Sequence, residues 1–381
     1  MNSRSVYGRV LLTAALTLVI RVIAAQQPGK PKLPHEADTN DWEAYFDYAV
    51  TLLPRLPTRA DSMFAWASRL DPSRAEPLYA RWVCFWLKDV GRFERYLNDD
   101  QRTLESPAVL AVDTLYLRAL HRNPFVPQTL GILPYDQLPG EWRHDLYTLG
   151  WIAYARRDFA KAAQYFGEVV RSNPQKHIWS RYMRALAFVP MRAYDSASTE
   201  MTAILTMLRA REDTTISSVY HSKELIDHGI ALLQLAQNRQ DSARWYFQHS
   251  LDENLGFYPA HAMLGDLALA RGDSAVAARE FEQAAELAPN EPWIQFRYGA
   301  ALLRMGRSAD AIAPLQRAIA LDPFYAAPYF DLGVAESARG NNAEAARALQ
   351  QYLERAPRKD TDAAEDARRR LASLREPDTR P

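Results

Sequence analysis

Apolar residues recur at helical spacing along most of the chain, and in its second half the pattern also repeats at a fixed interval. Alanines lie 34 residues apart at Ala243, Ala277, Ala311 and Ala345. A small residue keeps the same step at Ala231, Gly265, Gly299 and Gly333. A bulky residue does so at Phe247, Phe281, Leu315 and Leu349, and a proline at Pro289, Pro323 and Pro357. Unrelated residue types that share one period predict an array of repeated structural units.

Each unit predicts two amphipathic helices joined by a tight turn. The turn contains Gly272, Gly306 or Gly340, and glycine supplies the left-handed conformation that ends the first helix. The small residue of the first helix and the alanine of the second let the two backbones approach closely. The proline then ends the second helix, because it cannot continue a helix interior. The predicted fold class is therefore all-α, an alpha-solenoid of antiparallel helical hairpins.

The regular units resemble the tetratricopeptide repeat family. The residues that carry the resemblance are Met-Leu-Gly-Asp-Leu-Ala-Leu-Ala-Arg-Gly-Asp at 263–273, followed by Ala277, Phe281, Ala284 and Pro289. Tyr298-Gly299 and Leu332-Gly333 begin the next two units in the same way. The resemblance implies a superhelix whose concave face is lined by the first helices. It is specific for the fold and unspecific for function.

The repeat pattern weakens toward the N-terminus but remains recognisable. Leu149-Gly150, Ala162 and Phe166 indicate one more unit, and a degenerate unit is expected around Ala197 and Met201. The predicted organisation is a signal peptide or anchor (1–25), a flexible lead-in (26–40), divergent helical hairpins (41–140), degenerate units (141–223), four regular units (224–359), and a capping helix with a tail (360–381).

Two local features modify this prediction near the C-terminus. The stretch 361–375 reads as one solvated helix, and a repeat array needs such a terminal cap with a polar outer face. Pro314 lies inside a predicted second helix, which it should kink or shorten.

The first 25 residues predict export. Arg4 and Arg9 precede an apolar stretch from Val10 to Ile20, and cleavage is expected after Ala24 or Ala25. The abundance of arginine over lysine is typical of a GC-rich bacterial genome. We therefore expect a periplasmic or secreted bacterial protein. The alternative is an inner-membrane anchor formed by residues 10–25 if the signal is not cleaved.

Charge and candidate chemistry exclude several classes of function. The 46 basic and 46 acidic residues cancel, which argues against a nucleic-acid partner. Cys84 is the single cysteine and is expected to be a buried apolar residue. His221 and His228 could share a helix face, but a metal site needs three or four convergent ligands. No phosphate-binding loop or nucleophile motif is present, so we expect a protein without cofactor, metal or catalytic residues.

The concave face is the feature with functional content. Under the resemblance, its inward positions are Tyr147, Trp151, Tyr154, His228, Leu232, Leu235, Ala262, Asp266, Leu269, Phe296, Ala300, Leu303, Phe330 and Val334, with Arg304 as the nearest cation. Most of these side chains are apolar, so the groove suits a peptide or helical segment and does not suit a carboxylate clamp. The alternative is that these residues pack against the N-terminal part of the chain itself.

Three functions remain open from the sequence. The favoured one is a non-catalytic scaffold that binds a protein or peptide partner in the groove. A permanent structural subunit of an envelope or membrane complex is the second. An enzyme with its site in the divergent region 36–140 is the third, although helical spacing favours core packing for the many aromatic residues there.

Overall fold

The computed structural model describes residues 30–34, 36–97, 101–128, 146–172, 178–210 and 222–374, and within these ranges all regular structure is helical. The predicted signal segment, His221, most of the Pro-rich connection before residue 146 and the tail after residue 374 lie outside the described residues. No helix in the described part of the chain has the length and apolar character required to cross a bilayer.

Six helices precede the repeat array, and we call them the N-terminal module. They are α1 (Trp42–Leu52), α2 (Pro57–Leu70), α3 (Glu76–Leu87), α4 (Val90–Leu97), α5 (Gln101–Leu104) and α6 (Pro107–Arg122). A short 3-10 turn, Val126–Gln128, follows α6.

Thirteen described helices form the array and its end. The two upstream hairpins are α7 (Leu146–Ala155) with α8 (Phe159–Ser172), and α9 (Ile178–Phe188) with α10 (Tyr194–Ala210). The regular hairpins are α11 (Lys223–Ala236) with α12 (Gln240–Glu253), α13 (Tyr258–Ala270) with α14 (Ser274–Leu287), α15 (Pro292–Arg304) with α16 (Ser308–Leu321), and α17 (Ala327–Ala338) with α18 (Asn342–Arg355). The last helix is α19 (Thr361–Ser373). Within the regular units, each helix packs against its neighbour in sequence, as a solenoid requires.

The contact between the small and the bulky residue holds each hairpin together. A Cβ atom on Gly265 would lie only 2.9 Å from the ring of Phe281, and one on Gly299 would lie 2.7 Å from Leu315. Such distances leave no room for a side chain, so the helices touch through backbone on one side and a large side chain on the other. The same arrangement joins Gly150 to the Phe166 ring, which confirms the predicted upstream unit.

The turns inside the hairpins have the predicted left-handed geometry. Gly272, Gly306 and Gly340 have φ angles of 81°, 72° and 79°. In the first regular unit Asn238 takes this place with a φ of 60°, a conformation that asparagine tolerates better than most residues.

The expectation that Pro314 shortens its helix is wrong. Helix α16 runs unbroken through this residue and is 14 residues long, the same length as α14 and α18. Pro314 is buried within the array, so packing keeps the helix intact despite the backbone hydrogen bond that proline cannot donate.

The predicted C-terminal cap is confirmed. Helix α19 buries Ala367 against Leu349 and Tyr352 of the last hairpin. Its other residues are mostly exposed or half-buried, so it closes the apolar end of the array with a polar surface.

The aromatic residues of the N-terminal module form a packed core. Ala60, Phe64 and Ala67 are fully buried, and Trp82 stacks on Tyr116 with ring centroids 4.6 Å apart. Cys84 is buried as expected, and burial raises the pKa of its thiol well above the ordinary value. The core-packing interpretation of this aromatic stretch is therefore confirmed.

Truncation of one bulky residue tests the hairpin contact. Phe281→Ala should lower the free energy of unfolding by about 3–5 kcal/mol, because Gly265 leaves no other atoms to fill the space. Leu287→Ala, in the same helix at a side chain that is 44% exposed, is the matched control and should change it by about 0.5 kcal/mol or less. Urea denaturation measures both values, and equal losses would contradict the proposed role of the contact.

Candidate functional site

The predicted groove residues fall into two groups in the structure. Half-buried side chains that still reach the surface are Tyr147, Leu232, Asp266, Leu269, Phe296, Leu303, Phe330 and Val334, and Arg304 is exposed. Leu269, Leu303 and Val334 lie on the first helices of three consecutive units. These residues remain candidates for contact with a partner.

Trp151, Tyr154, His228 and Ala262 are corrected, because the structure places them in the core. Trp151 packs edge-on against Phe166, and Tyr154 is fully buried. His228 is 1% exposed and its ring lies between Phe247 and Phe257, at centroid distances of 5.3 and 5.5 Å. Helical spacing alone does not distinguish these positions from groove positions, since both lie on first helices.

Phe296 and Phe330 also make contacts within the chain. The Phe296 ring meets Tyr325 edge-on at 5.4 Å, and the Phe330 ring meets Tyr352 at 5.3 Å. The guanidinium of Arg370, in the capping helix, lies 5.9 Å from the Phe330 ring. Both phenylalanines therefore contribute to packing, and Leu269, Leu303 and Val334 are the better test positions.

Charged groups accompany the apolar residues of the candidate surface. Asp266 pairs with Arg297 of the next unit at 2.7 Å, and burial raises the Asp266 pKa although Arg297 and Arg304 oppose this. Burial also raises the pKa of Asp331 to about 6, with Arg304 again opposing. Arg297 was not among the predicted surface residues, and its charge is matched by a carboxylate on a neighbouring unit.

The N-terminal module covers one edge of the array. Its contacts with the regular units fall on or beside the last residue of each unit, and these residues are 34 positions apart: Phe257, Glu291, Tyr325 and Lys359. The module follows this edge in reverse order, so that its first residues lie against the last unit. We call this contact the seam.

A buried ion pair lies near the middle of the seam. Glu291 accepts hydrogen bonds from Arg118 at 2.7 Å and from Arg122 at 2.6 Å. The Arg122 side chain is 4% exposed, and its guanidinium also lies 5.7 Å from the ring of Trp293. Burial alone would raise the Glu291 pKa, but Arg122 and Arg118 together hold it below its ordinary value. The carboxylate is therefore charged at neutral pH and binds the two helical arginines.

An aromatic contact comes next along the seam. Trp66 packs on Phe324 with ring centroids 4.7 Å apart, and the Arg69 guanidinium lies 4.4 Å from the Phe324 ring. Arg69 also pairs with Asp322 at 3.8 Å. Burial raises the Asp322 pKa to about 6, while the Phe324 backbone N–H and Arg69 oppose the rise.

The residues before α1 hold the far end of the seam. The Arg358 backbone N–H donates to Asp38 at 2.6 Å, and the Asn40 amide donates to the Glu354 carbonyl at 2.9 Å. Lys359 binds Asp41, also at 2.9 Å. The flexible lead-in predicted for residues 26–40 is therefore corrected at Asp38 and Asn40, which are fixed against the last hairpin.

Two histidines lie on either side of Phe257 at the seam, the half-buried His121 and the buried His228. His121 of α6 meets Phe257 and Tyr258 edge-on, at 5.2 and 5.7 Å. Burial lowers the His121 pKa to about 4, with Arg122 adding to the effect, and burial lowers the His228 pKa to about 3. Both rings are therefore neutral at pH 7.

The sequence did carry a signal for the seam. The last position of each regular unit should repeat if it served only the array, yet it is phenylalanine, glutamate, tyrosine and lysine in turn. Side chains that change type at a fixed register indicate a partner surface that does not itself repeat. The pattern cannot show that this partner is the N-terminal module, because the contacts join residues up to 320 positions apart.

One cluster among the described residues consists of side chains of the types that bind metal ions. Asp227, His249 and Glu253 converge, but the Arg209 guanidinium lies 3.4 Å from Asp227 and 3.0 Å from Glu253. A cation already occupies the centre of the cluster, so these residues form an ion-pair network.

A shallow cleft of about 370 Å³ lies between α16, α17 and α18. Ile319, Ala320 and Leu332 contribute apolar surface to it, and Glu336 and Arg347 stand among its polar lining residues. Glu336 accepts a hydrogen bond from Asn341, and Arg347 pairs with Glu344. The cleft therefore offers apolar surface with polar groups that already have partners.

Removal of the central carboxylate tests the seam. Glu291→Ala leaves the buried Arg122 without its partner, so the free energy of unfolding should fall by about 3–5 kcal/mol. Lys359→Ala removes two partly exposed pairs at the far end of the seam, with Asp41 and Glu43, and should cost about 1 kcal/mol or less. Chemical denaturation gives the energies, and hydrogen exchange should show the loss of protection in α6. Similar small losses in both variants would contradict the buried pair.

Comparison with solved structures finds partial similarity to several repeat proteins. YrrB, described as a TPR protein with an unusual peptide-binding site, is 18% identical, with a TM-score of 0.43 over 55% of this chain and 100% of that chain. The C-terminal part of a TPR repeat-containing protein from Cytophaga hutchinsonii is 13% identical, with a TM-score of 0.46 over 60% and 95%. The TPR2AB domain of yeast Sti1, solved as a complex with pHSP90, is 17% identical, with a TM-score of 0.28 over 61% and 97%.

No curated protein matches the chain significantly. Family models described as tetratricopeptide repeat match residues 147–197, 262–326 and 329–358. The matches cover one upstream segment and the last three regular units, where the glycine and bulky-residue contacts were described above. These segments of the chain are similar to tetratricopeptide repeats.

Proposed function

We propose that this protein is a non-catalytic scaffold that binds a protein or peptide segment along the first helices of its array. The observation that carries the proposal is the row of half-exposed apolar side chains on consecutive units, Leu269, Leu303 and Val334. Such a row spans several helices, so it suits an extended or helical segment better than a small molecule. Stacked repeats present surfaces of this kind for binding.

The N-terminal module narrows the surface available to the partner. Trp293 and Tyr325 are buried near the seam, whereas Leu269 and Leu303 lie toward the ends of their first helices and remain half-exposed. The partner would therefore bind the part of the concave face farther from the seam. A few apolar anchors would supply most of the affinity, with Asp266 and Arg304 at the margins.

The proposal also concerns where in the cell the protein acts. The charged start, short apolar stretch and small residues of positions 1–25 favour export, so the partner would be a protein of a bacterial cell envelope or its surroundings. The same segment would act as an inner-membrane anchor if it were retained.

A permanent structural subunit is the second candidate, and a specific observation favours it. Trp245 is 55% exposed on α12, and Leu287 is exposed on α14, both of which are second helices. Large apolar side chains on that side would be covered in a stable complex. The two candidates differ in which side of the array the partner contacts.

Site-specific photo-crosslinking in a bacterial host distinguishes the two sides. A photoreactive residue at Leu303 should capture a protein if the first helices bind the partner, and the same residue at Trp245 should capture it if the complex is of the second kind. The captured protein then serves as the ligand in binding measurements.

Charge placed on the apolar row should abolish binding to that ligand. Leu269→Asp with Leu303→Asp should weaken the affinity at least tenfold, because each leucine loses about 1.5–3 kcal/mol of apolar burial in the complex. Helix content measured by circular dichroism should remain unchanged, since both side chains are partly exposed. Trp245→Asp is the matched control. If Trp245→Asp alone lowers the affinity, the partner does not bind the concave face.

A further inference from the structure

The seam brings together one histidine from the N-terminal module and one from the array, at a place distinct from the concave face. His121 comes from the N-terminal module and His228 from α11 of the array, both rings contact Phe257, and His121 lies close enough to lower the pKa of His228. Neither ring nitrogen of His228 has a hydrogen-bond partner among the described residues, and no carboxylate pairs with it there. A proton on His228 would therefore be a buried positive charge without a partner.

Among the charged groups around His121, Arg122 adds to this effect, whereas Glu291 and Glu224 oppose it. From α6 itself, Arg122 lies near His121, with Arg118 one turn away. From the array, Glu291, Glu224 and the Tyr258 hydroxyl face the same region. Glu291 is already shared between the two arginines. Two more positive charges would thus enter a region that holds the buried Arg122, the partly exposed Arg118 and two carboxylates, of which Glu291 is already engaged by the arginines.

The remaining contacts of the seam would separate together with this region. The far end is held by exposed pairs such as Lys359 with Asp41, which contribute little individually. The aromatic residues on the array side, Phe257, Trp293 and Tyr325, keep their positions in the array hairpins and would become exposed. Separation would therefore produce a second state, which differs from the docked one in the exposure of one aromatic edge.

We propose that the N-terminal module is an acid-releasable cover of the array edge, which detaches when His121 and His228 take up protons. Detachment exposes Phe257, Trp293 and Tyr325 as a second apolar surface. The inference does not depend on a partner for the concave face, and its test uses the protein alone.

The direction of the pH effect follows from proton linkage. The docked state holds the pKa of both histidines far below the ordinary value of about 6.5, so docking is weakened as the pH falls from about 6.5 toward 4. Asp322 acts in the opposite direction, because its raised pKa means that the docked state gains a proton near pH 6. As the pH falls toward 5, the two histidines weaken docking and Asp322 alone strengthens it, so the expected net effect is a weakening.

A distance measurement across the seam tests the proposal. Probes attached at Thr51→Cys in the module and Gln350→Cys in the last hairpin should move apart between pH 7 and pH 5. Both positions are exposed, whereas the native Cys84 is buried. A control pair at Arg279→Cys and Gln350→Cys, both within the array, should keep its distance, which distinguishes release of the module from unfolding.

Two variants identify the groups responsible. The double change His121→Phe with His228→Phe keeps the aromatic packing and removes the protons, so the probes should stay close at pH 5. Asp322→Asn removes the opposing group, so release should begin at a higher pH than in the unchanged chain. An unchanged distance at pH 5, simultaneous separation of the control pair, or normal release in the double variant would each overturn the proposal.

Discussion

The close approach of two helices at a glycine is the contact on which the rest of the structure depends. At Gly265 and Gly299 the first helix has no side chain, and a bulky residue of the second helix fills the space that remains. This contact fixes the distance and angle within a hairpin, and its repetition every 34 residues fixes how the hairpins stack. The stacking in turn places Leu269 and Leu303 side by side and brings the ends of successive units into one edge.

That edge determines how the two parts of the chain combine. Each unit ends with a residue that faces the same side, so an aromatic or charged residue there becomes one contact in a row. The N-terminal module uses the row through Glu291 and through the Phe324 ring, and both contacts include arginines of the module. A carboxylate buried between two arginines contributes little net stability compared with an apolar packing, but it strongly disfavours any other register. The seam is therefore specific, and the two histidines make it sensitive to pH.

Sequence patterns were sufficient for the repeated parts of the fold. Glycine in the turn, alanine and phenylalanine in the second helix and proline after it each act locally, so the hairpins and the capping helix could be predicted. The interpretation of Cys84 as a core residue followed from its aromatic neighbours in the same helix. The groove was predicted less well, because Trp151, Tyr154 and His228 lie on first helices at positions whose neighbours come from other units.

The sequence by itself determined the helical class, the period and the number of regular units, since these depend on interactions within about 34 residues. The tertiary structure decided which first-helix residues are exposed, and it decided that the edge of the array is covered by the chain's own N-terminal module. These outcomes depend on contacts such as Arg122 with Glu291 and Asp38 with Arg358, which join residues 169 and 320 positions apart. Neither side of such a contact carries a periodic pattern, and only the three-dimensional arrangement of the units brings the two together.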